Sequence, residues 1–178
     1  NRDTPKNELP DGFCKIKKEV FRNYKYVIKF TNSKKNKDLD LYAYYNEIRW
    51  LKYLQKFEFV PRLYKTIEYQ EDIYILMESF KGNSLDALSY GDLNFLQKNS
   101  EEFKIKLNVI LNNLKNEQLI HRDLRPHNII LVRFPSSFDI KIIDFQYMRK
   151  INKDISDINS SHYYKVIQNI GGIWRDKD

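Results

Sequence analysis

Between residues 119 and 145 the sequence alternates apolar and polar blocks in a way that leaves few chain paths open. Leu119 and Ile120 precede a polar loop, His121-Arg122-Asp123-Leu124-Arg125-Pro126-His127-Asn128, and a short apolar strand is predicted over Ile129 to Val132. Pro135, Ser136 and Ser137 mark a turn, a second strand is predicted over Asp139 to Ile143, and Asp144-Phe145 follows directly. Two short strands joined by a turn form a hairpin, so Asn128 at its entrance and Asp144 at its exit come close together. An amide oxygen beside a carboxylate is a pair of hard ligands suited to Mg²⁺, which takes few protein groups and completes its shell with phosphate oxygens. Asp123, at the rim of the same loop, stands where it can accept a proton from an incoming hydroxyl.

The first eighty residues read differently. Strands are predicted over Lys15 to Phe21 and Tyr26 to Phe30 with a turn at Arg22 to Lys25, then over Leu63 to Tyr69 and Ile73 to Ser79 with a turn at Gln70, Glu71 and Asp72. Between them, Leu41, Tyr44, Tyr45, Ile48, Leu51 and Leu54 recur at helical spacing and predict one apolar stripe on a helix from about Asp38 to Gln55. Glu47 has Ala43, Tyr44, Trp50 and Leu51 as its helical neighbours. A carboxylate on that flank is costly without a cation, and Lys29 is the best candidate partner. Beyond Lys81-Gly82-Asn83, Ser100 is expected to cap a helix running to about Glu117, with Phe103, Leu107, Ile110, Leu111 and Leu114 on its buried face.

The string His-Arg-Asp-Leu-Arg-Pro-His-Asn-Ile-Ile-Leu, followed by Ile-Lys-Ile-Ile-Asp-Phe, closely resembles the catalytic loop and metal-binding strand of the protein-kinase-like superfamily. The resemblance covers roughly Gly12 to Gln146. It implies a two-lobed α+β fold, with an N-lobe over residues 1–80 made of a small antiparallel sheet and one helix. A minimal, mostly helical C-lobe over 81–178 would follow, without the peptide-docking helices. The cofactors implied are ATP and Mg²⁺. Asp123 would be the base and Arg125 the cation that neutralises the transferring phosphoryl group. Asn128 and Asp144 would hold the metal, and Lys29 with Glu47 would position the nucleotide phosphates. Tyr74 to Phe80 resembles the strand and hinge that receive adenine, with Met77 as gatekeeper and Glu78 and Phe80 in the hinge. Gly12 is the one glycine near the place of the phosphate-covering loop. Arg122 is expected in a structural ion pair, and His121 as a packed, hydrogen-bonded core histidine.

Three departures from the protein-kinase pattern shape the expected substrate. The phosphate loop is nearly free of glycine, Gln146 stands where the metal-binding tripeptide usually ends in Gly, and thirty-two residues follow Gln146 with no Ala-Pro-Glu segment. The short remainder resembles the lipopolysaccharide core heptose kinases and related bacterial glycan kinases, which implies a sugar hydroxyl as acceptor. A compact protein kinase is the alternative, and a pseudokinase scaffold a third reading. Lys and Arg outnumber Asp and Glu, for a net charge of +7, which favours anionic partners, an anionic membrane surface among them. Most aromatics fall on apolar periodicities, so no nucleic acid is expected as a partner. The lone Cys14 rules out an internal disulfide and makes a cytoplasmic location the default, with peripheral contact at the inner membrane compatible with the charge. The chain carries no apolar run near the roughly 18 residues that span a bilayer. Tyr163, Tyr164, Ile167, Ile170 and Trp174 predict a closing helix within Ile151 to Asp178.

Overall fold

The computed structural model describes residues 14–15, 20–23, 25–33 and 41–151. Gly12 and the predicted closing helix lie outside them. The chain divides into two compact units, with the break between Lys81 and Gly82.

The first unit holds strands β1 (Cys14–Lys15), β2 (Val20–Arg22), β3 (Tyr26–Phe30), β4 (Leu63–Tyr69) and β5 (Asp72–Glu78), with helix α1 (Leu41–Leu54) between β3 and β4. They form one antiparallel sheet in the order β1-β2-β3-β5-β4. The single strand predicted over Lys15 to Phe21 is thus two strands that pair with each other, Cys14 opposite Arg22 and Lys15 opposite Phe21. The Arg22 to Lys25 turn is shorter than expected because the Asn23 side chain does its work: Oδ1 accepts from the amides of Lys25 (2.8 Å) and Tyr26 (2.7 Å). Gln70 and Glu71 alone turn β4 into β5, both in the left-handed region (φ 46° and 68°), the conformation that matches strand twist in a two-residue hairpin. Asp72 therefore opens β5 instead of closing the turn. It is buried, and its Oδ1 accepts from the Thr31 hydroxyl and the Ser33 amide, each at 2.8 Å.

Strand alternation sends Ile28 and Phe30 to one side of the sheet and Lys29 to the other. Ile28, Phe30 and Tyr74 form a buried cluster with Phe21, Ile67, Tyr69 and Leu76 packed against it, and Phe30 stacks on Tyr74 at 5.7 Å. The Tyr74 hydroxyl is buried with no hydrogen-bond partner. Burial first, then the nearby Asp72 and Tyr69, pushes its pKa up to about 12. Because the folded-state value lies above the ordinary 10.0, this contribution to stability is complete below that pH and is lost as the pH rises toward 12. Tyr74→Phe should therefore lose less stability than the parent across this alkaline window, by an amount on the order of 2 kcal/mol, while matching or exceeding the parent at neutral pH. Urea melts of both proteins at pH 7 and pH 11 check this, and parallel alkaline losses would contradict it.

The second unit contains β6 (Asn83–Ser84), α2 (Tyr90–Lys98), α3 (Ser100–Asn116), β7 (Leu119–Ile120), β8 (Ile129–Arg133), β9 (Phe138–Ile142) and β10 (Arg149–Lys150). Strands β6, β8 and β9 make one small sheet, and β7 pairs with β10 in another. Helix α2 had no counterpart in the sequence reading. Its signal was present: the Ser89 hydroxyl accepts from the Asp92 amide at 3.1 Å as an N-cap, and Leu93 and Leu96 are buried. Its presence changes the start of α3, where Asn99 takes the junction between the helices and Ser100 lies in the first turn rather than at the cap. The buried face of α3 is the expected one, Phe103, Leu107, Ile110, Leu111 and Leu114. At Gly82 a Cβ would run into the Leu131 carbonyl oxygen, so only glycine allows the chain to approach β8 this closely. No helix among the described residues is long and apolar enough to cross a membrane.

Candidate active site

In the first unit, Lys29 sits in the middle of the sheet, with Val20 and Ile75 as its cross-strand neighbours. Its ammonium donates to Glu47 Oε2 at 2.7 Å, and Glu47 is only 2% exposed. The helix that supplies Glu47 is not rotated as its apolar stripe suggested. Ala43, Asn46, Glu47, Trp50, Leu51 and Leu54 face inward, while Leu41 and Tyr45 are exposed. The predicted stripe and the observed one differ by about 100°, one residue of an α-helix. Inward Trp50, Leu51 and Leu54 retain the hydrophobic gain, at about 1.5–3 kcal/mol for each large side chain. Meeting Lys29 requires Glu47 on that inward side. At the end of β5, Met77 is buried, and Glu78 is tied to Arg62 by both backbone and side chain (2.9 and 3.0 Å). Phe80 lies two residues further on and is partly buried.

In the second unit the loop after β7 is closed on itself by hydrogen bonds. The Asp123 carbonyl accepts from the Arg125 amide (3.0 Å) and from Asn128 Nδ2 (2.8 Å). The same Asn128 Nδ2 donates to Asp123 Oδ2 (3.1 Å), and Arg125 Nε donates to Asp123 Oδ1 (2.6 Å). Asp123 is thus held by a donor on each oxygen, with His127 Nε2 3.9 Å from Oδ2. The ion pair contributes little stability because Arg125 is exposed; what it supplies is orientation.

His121, fully buried, fastens this loop to the strand that carries Asp144. Its Nδ1 accepts from the Asp123 amide (3.2 Å), so the proton sits on Nε2, which donates to the Ile143 carbonyl (3.0 Å). The Ile143 amide in turn donates to the Asn128 carbonyl (3.0 Å). With both backbone groups of Ile143 engaged, the next residue, Asp144, emerges beside Asn128. Its φ of 67° is left-handed, as is that of Arg122 (72°) at the other end of the loop. Strain of this kind persists where the surroundings over-determine the backbone, and it concentrates at functional sites. The Phe145 ring packs on His121 at 5.2 Å and anchors the turn that follows. His121 is the packed, hydrogen-bonded core histidine expected from the sequence, and the structure adds which backbone groups it joins. The ion pair expected for Arg122 is not found among the described residues; this side chain is exposed.

Asn128 spends its NH₂ group on Asp123, which leaves its Oδ1 as an acceptor, and the Asp144 carboxylate is a second hard oxygen of the kind that Mg²⁺ takes. Among the described residues no group of three or more His, Cys, Asp or Glu could hold a metal by itself.

The protein kinase domain model matches residues 12–167. The chain is similar to the cAMP-dependent protein kinase catalytic subunit of Schizosaccharomyces pombe, 24% identical over 127 residues that cover 71% of this chain and 24% of that protein. It is also similar to CDPK-related kinase 3 of Arabidopsis thaliana, 26% identical over 121 residues, 66% of this chain and 20% of that protein. The chain spans about a quarter or less of the length of these curated relatives. Family model, antiparallel sheet with its Lys–Glu pair, and loop-plus-hairpin geometry agree, and the chain belongs to the protein kinase domain family.

Proposed function

We propose that this chain transfers the γ-phosphoryl group of ATP to a hydroxyl group of a protein. The observation that carries the reading is the two-donor clamp on Asp123, supported by the bond from the Ile143 amide to the Asn128 carbonyl, one residue before Asp144. In this reading Asp123 orients the acceptor hydroxyl and takes its proton. Asn128 and Asp144 hold Mg²⁺, which when bound neutralises charge on the phosphate oxygens. Arg125, two residues from the base and exposed, offers its guanidinium to the phosphoryl group. Lys29, fixed by Glu47, holds nucleotide phosphates, and the segment from Met77 to Phe80 receives the base.

A protein acceptor replaces the glycan expected from the sequence. That expectation rested on the few residues after Gln146, and a chain spanning about a quarter of its relatives offers no argument from length. The relatives are protein kinases by name, and nothing favours the heptose kinases. The pseudokinase reading loses ground as well, because the five polar residues of the pattern are present and Asp123 and Glu47 are each held by a partner.

The test is incubation with γ-labelled ATP and Mg²⁺ against a denatured protein panel and, separately, a bacterial glycan extract. Label should enter protein in a phosphatase-sensitive form and be lost when Mg²⁺ is chelated. Label in the glycan alone, or in neither, would overturn the assignment.

A further inference from the structure

His127 takes no part in the reaction proposed above, yet it stands beside the carboxylate at its centre. Its Nε2 lies 3.9 Å from Asp123 Oδ2, too far for a hydrogen bond, and its side chain is 40% exposed. On the other oxygen, Arg125 Nε is bonded at 2.6 Å, with its side chain 62% exposed. Asp123 is therefore flanked by an imidazole and a guanidinium, both reached by solvent. The backbone holds this arrangement still. Pro126 to Asn128 form one 3₁₀ turn, closed by the Asn128 amide on the Arg125 carbonyl at 2.9 Å, and the proline ring fixes one of its dihedrals. Buried Asn128 anchors the far end of the turn, so His127 is presented from a rigid support, which lowers the entropic cost of any contact it makes.

The charges of the surrounding loop point one way. From His121 to Asn128 the basic side chains that reach solvent are Arg122, Arg125 and His127, and the one carboxylate, Asp123, has a donor on each oxygen. On the hairpin that follows, Asp144 is assigned to the metal in the reading above, and Asp139 has the Lys141 ammonium 3.9 Å away. We infer that His127 determines acceptor specificity: a hydroxyl that reaches Asp123 is favoured when a carboxylate stands close to it in the acceptor chain and disfavoured when a Lys or Arg stands there. The carboxylate meets the imidazole N–H. An imidazole offers at least one N–H in either protonation state, so the preference does not need a protonated His127. A Lys or Arg brings only donors and meets Arg125 as a like charge. The inference rests on the phosphotransfer reading and names the acceptor class within it.

The experiment gives the whole chain, with γ-labelled ATP and Mg²⁺, three peptides that share one serine and differ only in its flanking residues: Glu, Ala or Arg. Values of kcat/KM should fall in the order Glu, Ala, Arg, with about tenfold between first and last, the size that a few exposed charge contacts add up to, and the gap should narrow with salt. His127→Glu should bring the Glu-to-Arg ratio to unity or below, whereas His127→Gln, which keeps an N–H donor, should retain the parent order. His127→Ala, the milder change, should lower the ratio severalfold and keeps the inference testable if His127→Glu fails to fold. A ratio cancels any loss of turnover common to the peptides. Equal rates on the three peptides, a preference for the Arg peptide, or a ratio that His127→Glu and His127→Ala leave unchanged would overturn the inference while the phosphotransfer reading stands. Label in the denatured protein panel but in none of the peptides would also overturn the inference alone, and label in neither removes both.

Discussion

Asp123→Asn should reduce ATP-dependent phosphorylation by about 10²- to 10⁴-fold, the range contributed by a positioned general base, with little change in folding stability. Asparagine keeps an oxygen that can accept from Arg125 Nε or from Asn128 Nδ2, so the loop retains one of its two side-chain bonds at this position and all of its backbone bonds, including those from Arg125 to the residue 123 carbonyl and from Asn128. What it loses is the charge and the proton-accepting oxygen. Steady-state kcat with a phosphorylated panel protein, alongside a urea melt, separates the two effects. Wild-type turnover in Asp123→Asn would remove this residue from the chemistry. A large stability loss without a matching rate loss would make its role structural.

The local geometry of the loop and hairpin was legible because its residues are compressed into short sequence distances. Asp123, Arg125 and Asn128 lie within six residues, and an apolar hairpin dictates the return of the chain to Asp144 whatever the rest of the fold does. The elements that escaped were those decided by long-range contacts. The rotation of α1 could not be read from its own periodicity, since Leu41 and Tyr45 fit an apolar stripe as well as Trp50 and Ala43 do. Pairing with Lys29, eighteen residues earlier, breaks that tie. The antiparallel pairing of Cys14 and Lys15 with Arg22 and Phe21 was hidden because both arms carry strand-forming residues. Helix α2 was missed although its cap and its two buried leucines were in plain view, because Gly91 and Asn94 lower helix propensity and masked the period. For His121 the burial and hydrogen bonding were legible but the partners were not, because which backbone groups an imidazole reaches depends on the path of the chain twenty-two residues away.

Lys29→Met should be costly twice, and the two costs can be separated. Glu47 is 2% exposed, and its carboxylate loses the ammonium that stands 2.7 Å away. Removing one member of a buried ion pair costs about 3–5 kcal/mol, because the remaining charge stays desolvated. Glu47→Gln should cost less, since Lys29 is less buried and can turn its ammonium toward water. The double variant Lys29→Met/Glu47→Leu replaces both charges with apolar groups of similar volume and should recover most of the stability, as such exchanges are often neutral. It should recover none of the activity if Lys29 holds nucleotide phosphates, where loss of one electrostatic contact costs about 10²- to 10³-fold in kcat. Urea melts of the three variants measure the first effect, and phosphorylation rates measure the second. Recovery of both together would mean that the pair only fills space, and recovery of stability alone would leave Lys29 with a chemical task that packing cannot replace.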